Sequence, residues 1–261
     1  MAALASTHIF THTHLSLVAH RVRYGDCASC ASWIASLLTR CLAPLGSAHS
    51  LSFCAVVLAV RHSQLYKMEP ETFAAWGNVL RRLPSGFLWL TRVSVRKDTS
   101  LYAQDNLHRE IAHLGVRTER VGFSFRFPQD DFVSLRALAD LMVDNRAYNA
   151  HTTGADTFWS GVPAVATASR HLAGRASASF ASAVGVANMV VPSFKSYEDV
   201  VFELGTFPRR LWTMRRRLLQ MREDAPFFDL PRLARGQHRL ARAMWGVHAA
   251  GRQPMHVVAA R

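Results

Sequence analysis

The stretch Asp144-Asn-Arg-Ala-Tyr-Asn-Ala-His-Thr-Thr-Gly-Ala-Asp156 concentrates most of the chemistry this chain offers. It follows the short apolar run Leu141–Val143 and leads into a helical pattern, which places it at a strand end opening a helix. Thr152 and Thr153 are expected there as N-cap residues. A helix N-terminus carries main-chain amides that the helix cannot pair and a partial positive charge, so it favours an anion, phosphate above all. The threonine hydroxyls add donors, and His151, just before the turn, is placed to reach the same anion. Asp156, about one turn in, would offer its carboxylate to hydroxyls such as those of a ribose. Read alone, the stretch also fits an ordinary capped helix.

A second cluster is Gln64-Leu-Tyr-Lys67, at the end of the first strand and just before a helix. A lysine there shares the strand-end rim with the threonines, where its ammonium would neutralise a phosphate oxygen as a bond to phosphate breaks. By itself it also reads as a surface charge. Other chemistries lack their residues. The chain has no GxGxxG fingerprint, no Gly-rich phosphate loop ending in Lys-Ser/Thr, no nucleophile-elbow serine and no His-Glu-x-x-His. A nucleotide-sugar transferase survives this elimination, because a helix end and a lysine hold a diphosphate without those motifs.

The elements that must position these residues alternate. Phe53–Val60 reads as a buried strand, and Glu69-Pro-Glu-Thr opens a helix running to Arg82, with proline in the first turn. Strands follow at Phe87–Val93, Val121–Phe125, Leu141–Val143 and Ala164–Ala166, separated by helices at Leu101–Leu114, Phe132–Ala139 and about Thr153–Ser160. Such alternation predicts an α/β fold with a Rossmann-like parallel sheet, whose ligands sit at the carboxyl ends of strands. Three helices close the chain, at Tyr197–Leu204, Arg209–Arg222 and Pro231–Ala249.

The chain has 261 residues and a net charge of +13, 49% of it hydrophobic and 19% charged, which supports a substantial core. Its longest apolar run, Leu51 to Val60, falls short of the ~18–20 residues needed to span a bilayer, so no membrane span is expected. Residues 205–261 carry twelve basic and three acidic residues, whereas residues 63–204 carry fifteen and fourteen. That basic end reads as a solvated helix face or as a contact for an acidic partner or RNA. Aromatic platforms are not interleaved with its arginines, which argues against nucleic acid. All four cysteines lie in the first 54 residues. Cys27-Ala-Ser-Cys30 has zinc-knuckle spacing, yet no second Cys or His pair follows at the usual distance, and no metal site is expected. Residues 1–52 are left unassigned and expected to be poorly ordered; their acid-poor composition also permits an organellar targeting segment.

In its order of motifs the chain resembles the protein O-linked N-acetylglucosamine transferases, the family that includes SPINDLY-like proteins. The resemblance runs through Gln64-Leu-Tyr-Lys67, Leu138-Ala-Asp140, Tyr148-Asn-Ala-His-Thr-Thr-x-x-Asp156 and Trp159-x-Gly-x-Pro163. It continues through Tyr197-Glu-Asp, Leu204-Gly-Thr206, Pro226-Phe-Phe-Asp229 and Met244-Trp245, covering roughly residues 53–251. It implies that residues 53–261 form the C-terminal, donor-binding lobe of a GT-B glycosyltransferase, with C-terminal helices. It implies inverting transfer of N-acetylglucosamine from UDP-N-acetylglucosamine to Ser/Thr hydroxyls of proteins, without metal or other cofactor, in the cytoplasm or nucleus. Lys67 would stabilise the leaving diphosphate, the Thr152–Thr153 helix start would bind phosphate and Asp156 would hold the ribose. Gln64 and His151 would line the donor site, and Phe132 would stack on the base.

The family's N-terminal lobe and tetratricopeptide repeats have no counterpart in residues 1–52, so the chain is expected to bind UDP but to transfer weakly by itself. That missing lobe is either a partner or lost by truncation. Two other functions stay open: a non-catalytic module binding an acidic partner or RNA through the basic helices, and a SPINDLY-like transferase using GDP-fucose.

Overall fold

The computed structural model describes residues 57–60, 67–91, 97–124, 133 and 136–258. Gln64, Phe132 and residues 1–52, with the thiols and targeting segment read there, lie outside the described residues.

Six strands form one parallel sheet: β1 (Val57–Val60), β2 (Phe87–Thr91), β3 (Val121–Ser124), β4 (Leu141–Val143), β5 (Ala164–Thr167) and β6 (Val190–Val191), in the order β3-β2-β1-β4-β5-β6. Register is set by pairs such as Ala59–Trp89, Ala59–Met142 and Val143–Val165. The intervening helices are α1 (Pro70–Arg82), α2 (Lys97–His113), α3 (Thr152–Trp159) and α4 (Ala176–Ala183). By the right-handed rule for crossovers between parallel strands, α1 and α2 belong to one face and α3 and α4 to the other. The C-terminal helices α5 (Phe194–Thr206) and α6 (Pro208–Met221) complete these layers, α5 against α1 and α6 against α3. This is the Rossmann-like α/β sheet expected, with helices following it.

The core lies on both sheet faces because the central strands are apolar throughout: Leu88, Leu141, Val143 and Val165 are fully buried, as are Trp76, Leu80 and Ile111 on the helices. Parallel strands covered twice require such continuous apolar runs. Pro70 opens α1 at a position where a missing amide costs nothing, as its sequence indicates.

Several motifs that carry the resemblance prove to be packing devices. In Tyr197-Glu-Asp, Glu198 accepts a hydrogen bond from Asn78 Nδ2 (2.8 Å) and Asp199 pairs with Arg82 (2.8 Å), stitching α5 to α1. Gly205 of Leu204-Gly-Thr206 lets Leu83 approach so closely that a Cβ there would lie 2.4 Å from its Cδ2. In Pro226-Phe-Phe-Asp229, Phe227 packs on Phe180 of α4 and Phe228 on Trp159 of α3, at centroid distances of 4.5 and 5.0 Å. Asp229 then caps the last helix, α7 (Leu230–Ala249), by accepting from the Arg232 amide (2.9 Å).

Some element bounds differ from expectation. α2 starts earlier, at Lys97. The chain leaves helical geometry after Arg136, where the Ala139 amide turns back to the Arg136 carbonyl (2.9 Å), rather than at Ala139. α5 begins at Phe194, three residues ahead of Tyr197, because Ser193 caps it through Ser196 N (3.1 Å). α7 buries no residue: Leu230, Leu233, Met244 and Trp245 stand exposed beside the arginines at 232, 235, 239 and 242. Among the described residues no helix is long and apolar enough to cross a membrane.

Candidate active site

Strands β1 and β4 are neighbours from which the chain winds in opposite directions, β1 toward β2 and β3, β4 toward β5 and β6. Crevices at such switch points, beyond the carboxyl ends of the strands, are where parallel α/β sheets take ligands. Lys67 comes from the connection after β1, and residues 144–151 form the connection after β4. The two meet directly: the Lys67 ammonium lies 3.7 Å from the centre of the Tyr148 ring. That ring in turn stacks on His151, with centroids 4.9 Å apart and planes 21° from parallel.

The loop bearing Tyr148 and His151 is held by a buried carboxylate. Asp144, only 1% exposed, accepts from the amides of Asn145 (2.9 Å) and Ala150 (2.9 and 3.0 Å) and from the Ser177 hydroxyl of α4. Its main-chain carbonyl accepts from the Tyr197 hydroxyl (3.1 Å), which accepts in turn from Trp76 Nε1 (3.0 Å). Burial pushes the Tyr197 phenol well above its ordinary range, and Asp144 adds to this against the Trp76 hydrogen bond. The phenol therefore stays protonated and keeps donating. One chain of hydrogen bonds thus ties α1 and α5 to the loop that begins the site.

The same loop is also clamped from the β5 side. The Ala173 carbonyl accepts from the Asn149 amide (2.8 Å) and from His151 Nε2 (3.2 Å), which places the histidine proton on Nε2. Gly174 makes this approach possible, since a Cβ there would lie 2.3 Å from Ser169 Oγ and 2.5 Å from the Arg146 carbonyl. His151, expected just before the helix, is its N-cap by position: its carbonyl accepts from Gly154 N (2.8 Å) and Ala155 N (3.1 Å). This corrects the capping role read for the threonines. Thr152 and Thr153 are the first two helical residues and His151 caps without a side-chain bond, so the hydroxyls do not serve as caps. The helix start itself stands where it was expected, with Thr152 exposed on it.

Beneath the first turn of α3 lies a residue the sequence reading passed over. Arg136, 4% exposed, donates to the Thr153 carbonyl and to Thr157 Oγ1 (2.9 Å), and its guanidinium stands 3.6 Å from the Asp156 carboxylate. The buried positive charge reinforces the field of the helix N-terminus. Asp156 is partly exposed, and its carboxyl is raised above the usual carboxylate range by burial, against the opposing pull of Arg136. It stands about one turn into α3 from Thr152.

Lys67, His151 and the start of α3 are thus brought to one place, with Asp156 farther along α3 and Arg136 beside it from the segment before β4. Tyr148, Asp144 and Arg136 are participants to which sequence reasoning gave no role. Tyr148 stands in the motif that carries the resemblance and Asp144 is a lone acid directly after an apolar strand, whereas Arg136 left no signal.

Comparison with known proteins fits this geometry. A family model described as glycosyl transferase family 41 matches residues 47–236. A probable UDP-N-acetylglucosamine–peptide N-acetylglucosaminyltransferase SEC of Arabidopsis thaliana is 31% identical over 74% of this chain and 19% of its own length. A UDP-N-acetylglucosamine–peptide N-acetylglucosaminyltransferase of Caenorhabditis elegans is 28% identical over 75% of this chain and 16% of its own. The chain therefore spans less than a fifth of the length of these relatives. Among solved structures, a lysine-to-methionine mutant of the Thermobaculum terrenum O-GlcNAc transferase is similar, with TM-score 0.59 and 25% identity over 63% of this chain and 31% of that one. The matched residues include the sheet, the switch point and the motif from Tyr148 to Asp156: this chain belongs to glycosyl transferase family 41.

Proposed function

We propose that the site binds the diphosphate of UDP-N-acetylglucosamine and serves transfer of the sugar to Ser/Thr hydroxyls of proteins. The observation that carries this is the meeting, at the sheet's switch point, of the Lys67 ammonium with the loop that opens α3. A diphosphate seated there faces a cation on one side and the amides of a helix start on the other. In an inverting displacement the acceptor oxygen bonds to the anomeric carbon as the bond to the diphosphate oxygen breaks. Lys67 and the first turn of α3 neutralise the charge that grows on that leaving group, where fixed donors act most strongly. Asp156 accepts from ribose hydroxyls. No step requires a metal. Gln64 and Phe132 are proposed to line the sugar-diphosphate and base ends of the same site. The acceptor's proton goes to a base that these residues do not supply, and positioning an acceptor accounts for ~7–11 kcal/mol of such a barrier.

The 261-residue polypeptide is therefore expected to bind donor and to transfer slowly. A rise in melting temperature with UDP-N-acetylglucosamine, larger than with GDP-fucose, tests the donor, because a ligand that binds only the folded state stabilises it. An equal or larger rise with GDP-fucose would reassign the donor to that nucleotide. A second reading, in which the chain is an interaction module for an acidic partner, is favoured by one observation: α7 carries four arginines and buries none of its residues. Retention on an anionic resin that is lost at moderate salt, with no nucleotide effect on melting, would select it. For the place of this action we propose the cytoplasm or nucleus, as the resemblance to the protein O-linked N-acetylglucosamine transferases implies.

A further inference from the structure

We propose that Tyr148 is a positioning residue of the donor site, acting through its ring on Lys67; this rests on the reading of Lys67 as the cation facing the diphosphate. A lysine ends a flexible four-carbon stem, and its ammonium has many places to go. Here it lies 3.7 Å from the centre of an aromatic face, well inside the range at which the ring quadrupole attracts a cation. The ring is itself fixed. It stacks on His151, whose Nε2 donates to the Ala173 carbonyl, and its loop is pinned by the Asp144 carboxylate and the Asn149 amide.

The consequence is a relay from rigid scaffold to mobile charge. The β5 loop holds His151, His151 holds Tyr148, and Tyr148 holds the ammonium beside the start of α3. Lysine's charge is then in place before the donor arrives, so binding loses less side-chain freedom. A hydroxyl is not needed for this; an aromatic face is. Tyr148→Phe should therefore keep what Tyr148→Leu loses.

The test is a double-mutant cycle on the full chain, with UDP as the probe and titration calorimetry as the readout. Tyr148→Leu is expected to weaken UDP binding by about 2- to 30-fold, the range a cation–π contact spans, and Tyr148→Phe to leave it within about twofold. In a Lys67→Ala background the Tyr148→Leu effect is expected to vanish, which a merely structural loss would not do. In the ligand-free protein, the Lys67 ε-methylene proton resonance should sit upfield in wild type and Tyr148→Phe and relax in Tyr148→Leu. Equal affinity, tighter binding by Tyr148→Leu, or an effect that persists without Lys67 would overturn the proposal. If Tyr148→Leu does not fold, the Tyr148→Phe and wild-type resonances decide it, because an unshifted methylene in both rules out the contact. Wild-type protein that gives no heat with UDP would instead sink the reading of donor binding.

Discussion

Asp156 shows how one side chain carries two opposing pH dependences. Its carboxyl is raised above the ordinary value chiefly by burial, with Arg136 pulling the other way. For stability, holding the charge in this site costs the folded state at neutral pH, and that cost is relieved as pH falls through the raised value. For donor binding the sign reverses under the proposed role, in which the ionised carboxylate accepts from ribose. Affinity for UDP-N-acetylglucosamine, whose phosphates do not titrate in this window, should therefore fall between pH 7 and pH 4, beginning above the pH at which an ordinary carboxylate protonates. Asp156→Asn should bind about tenfold more weakly at pH 7 and lose that pH dependence, given ~1.5–3 kcal/mol for hydrogen bonds to a charged group. A wild-type affinity that stays flat across the window, measured by equilibrium dialysis, would remove Asp156 from the ribose. The positions of Lys67, His151, Thr152, Thr153 and Asp156 at a strand end or helix start were legible from residue type and local pattern, while their roles belong to the proposed function. The contact of Tyr148 with Lys67 and the place of Arg136 were not legible, since a ring contact across 81 positions and a buried guanidinium below a helix leave no local pattern.

At the scale of elements, the site depends on a hydrogen-bond chain that starts two helices away. Trp76 on α1 donates to Tyr197 on α5, and Tyr197 donates to the Asp144 carbonyl at the end of β4. Tyr197→Phe keeps the ring and removes the hydroxyl, taking the acceptor from a fully buried indole N–H and one donor from the Asp144 carbonyl. The cost should be about 1–3 kcal/mol, read as a lower urea midpoint with an unchanged slope. A midpoint equal to wild type would mean that α5 holds the loop by packing alone. Strands and helices with strong apolar patterning, such as α1, β4 and α6, were readable within a residue or two of their ends. α4 and β6 were passed over for physical reasons. Ala176–Ala183 is a small-residue helix with no apolar stripe, and Val190–Val191 is a strand only because β5 offers it an edge. The threonines were misread as caps because cap propensity ranks residue types, whereas the backbone at His151, tied to Ala173 through its side chain, fixes where α3 begins.

For the whole molecule, sheet order decides where chemistry happens. The reversal between β1 and β4 is the sheet's switch point, and the connections after these two strands carry Lys67 and His151. Charge follows a different plan, with the basic excess carried by α6 and α7 rather than by the site. The proposed function requires that a nucleoside diphosphate dock between Lys67 and the start of α3. Titration calorimetry of the folded 261-residue chain with UDP, set beside the paired variant Lys67→Ala with Thr153→Val, measures this most directly. Saturable heat in the wild type and a loss of about tenfold or more in affinity in the paired variant is the expected result, for removal of a charge-assisted contact worth ~1.5–3 kcal/mol. Undiminished affinity in the paired variant, or no heat with well-folded wild type, would contradict it.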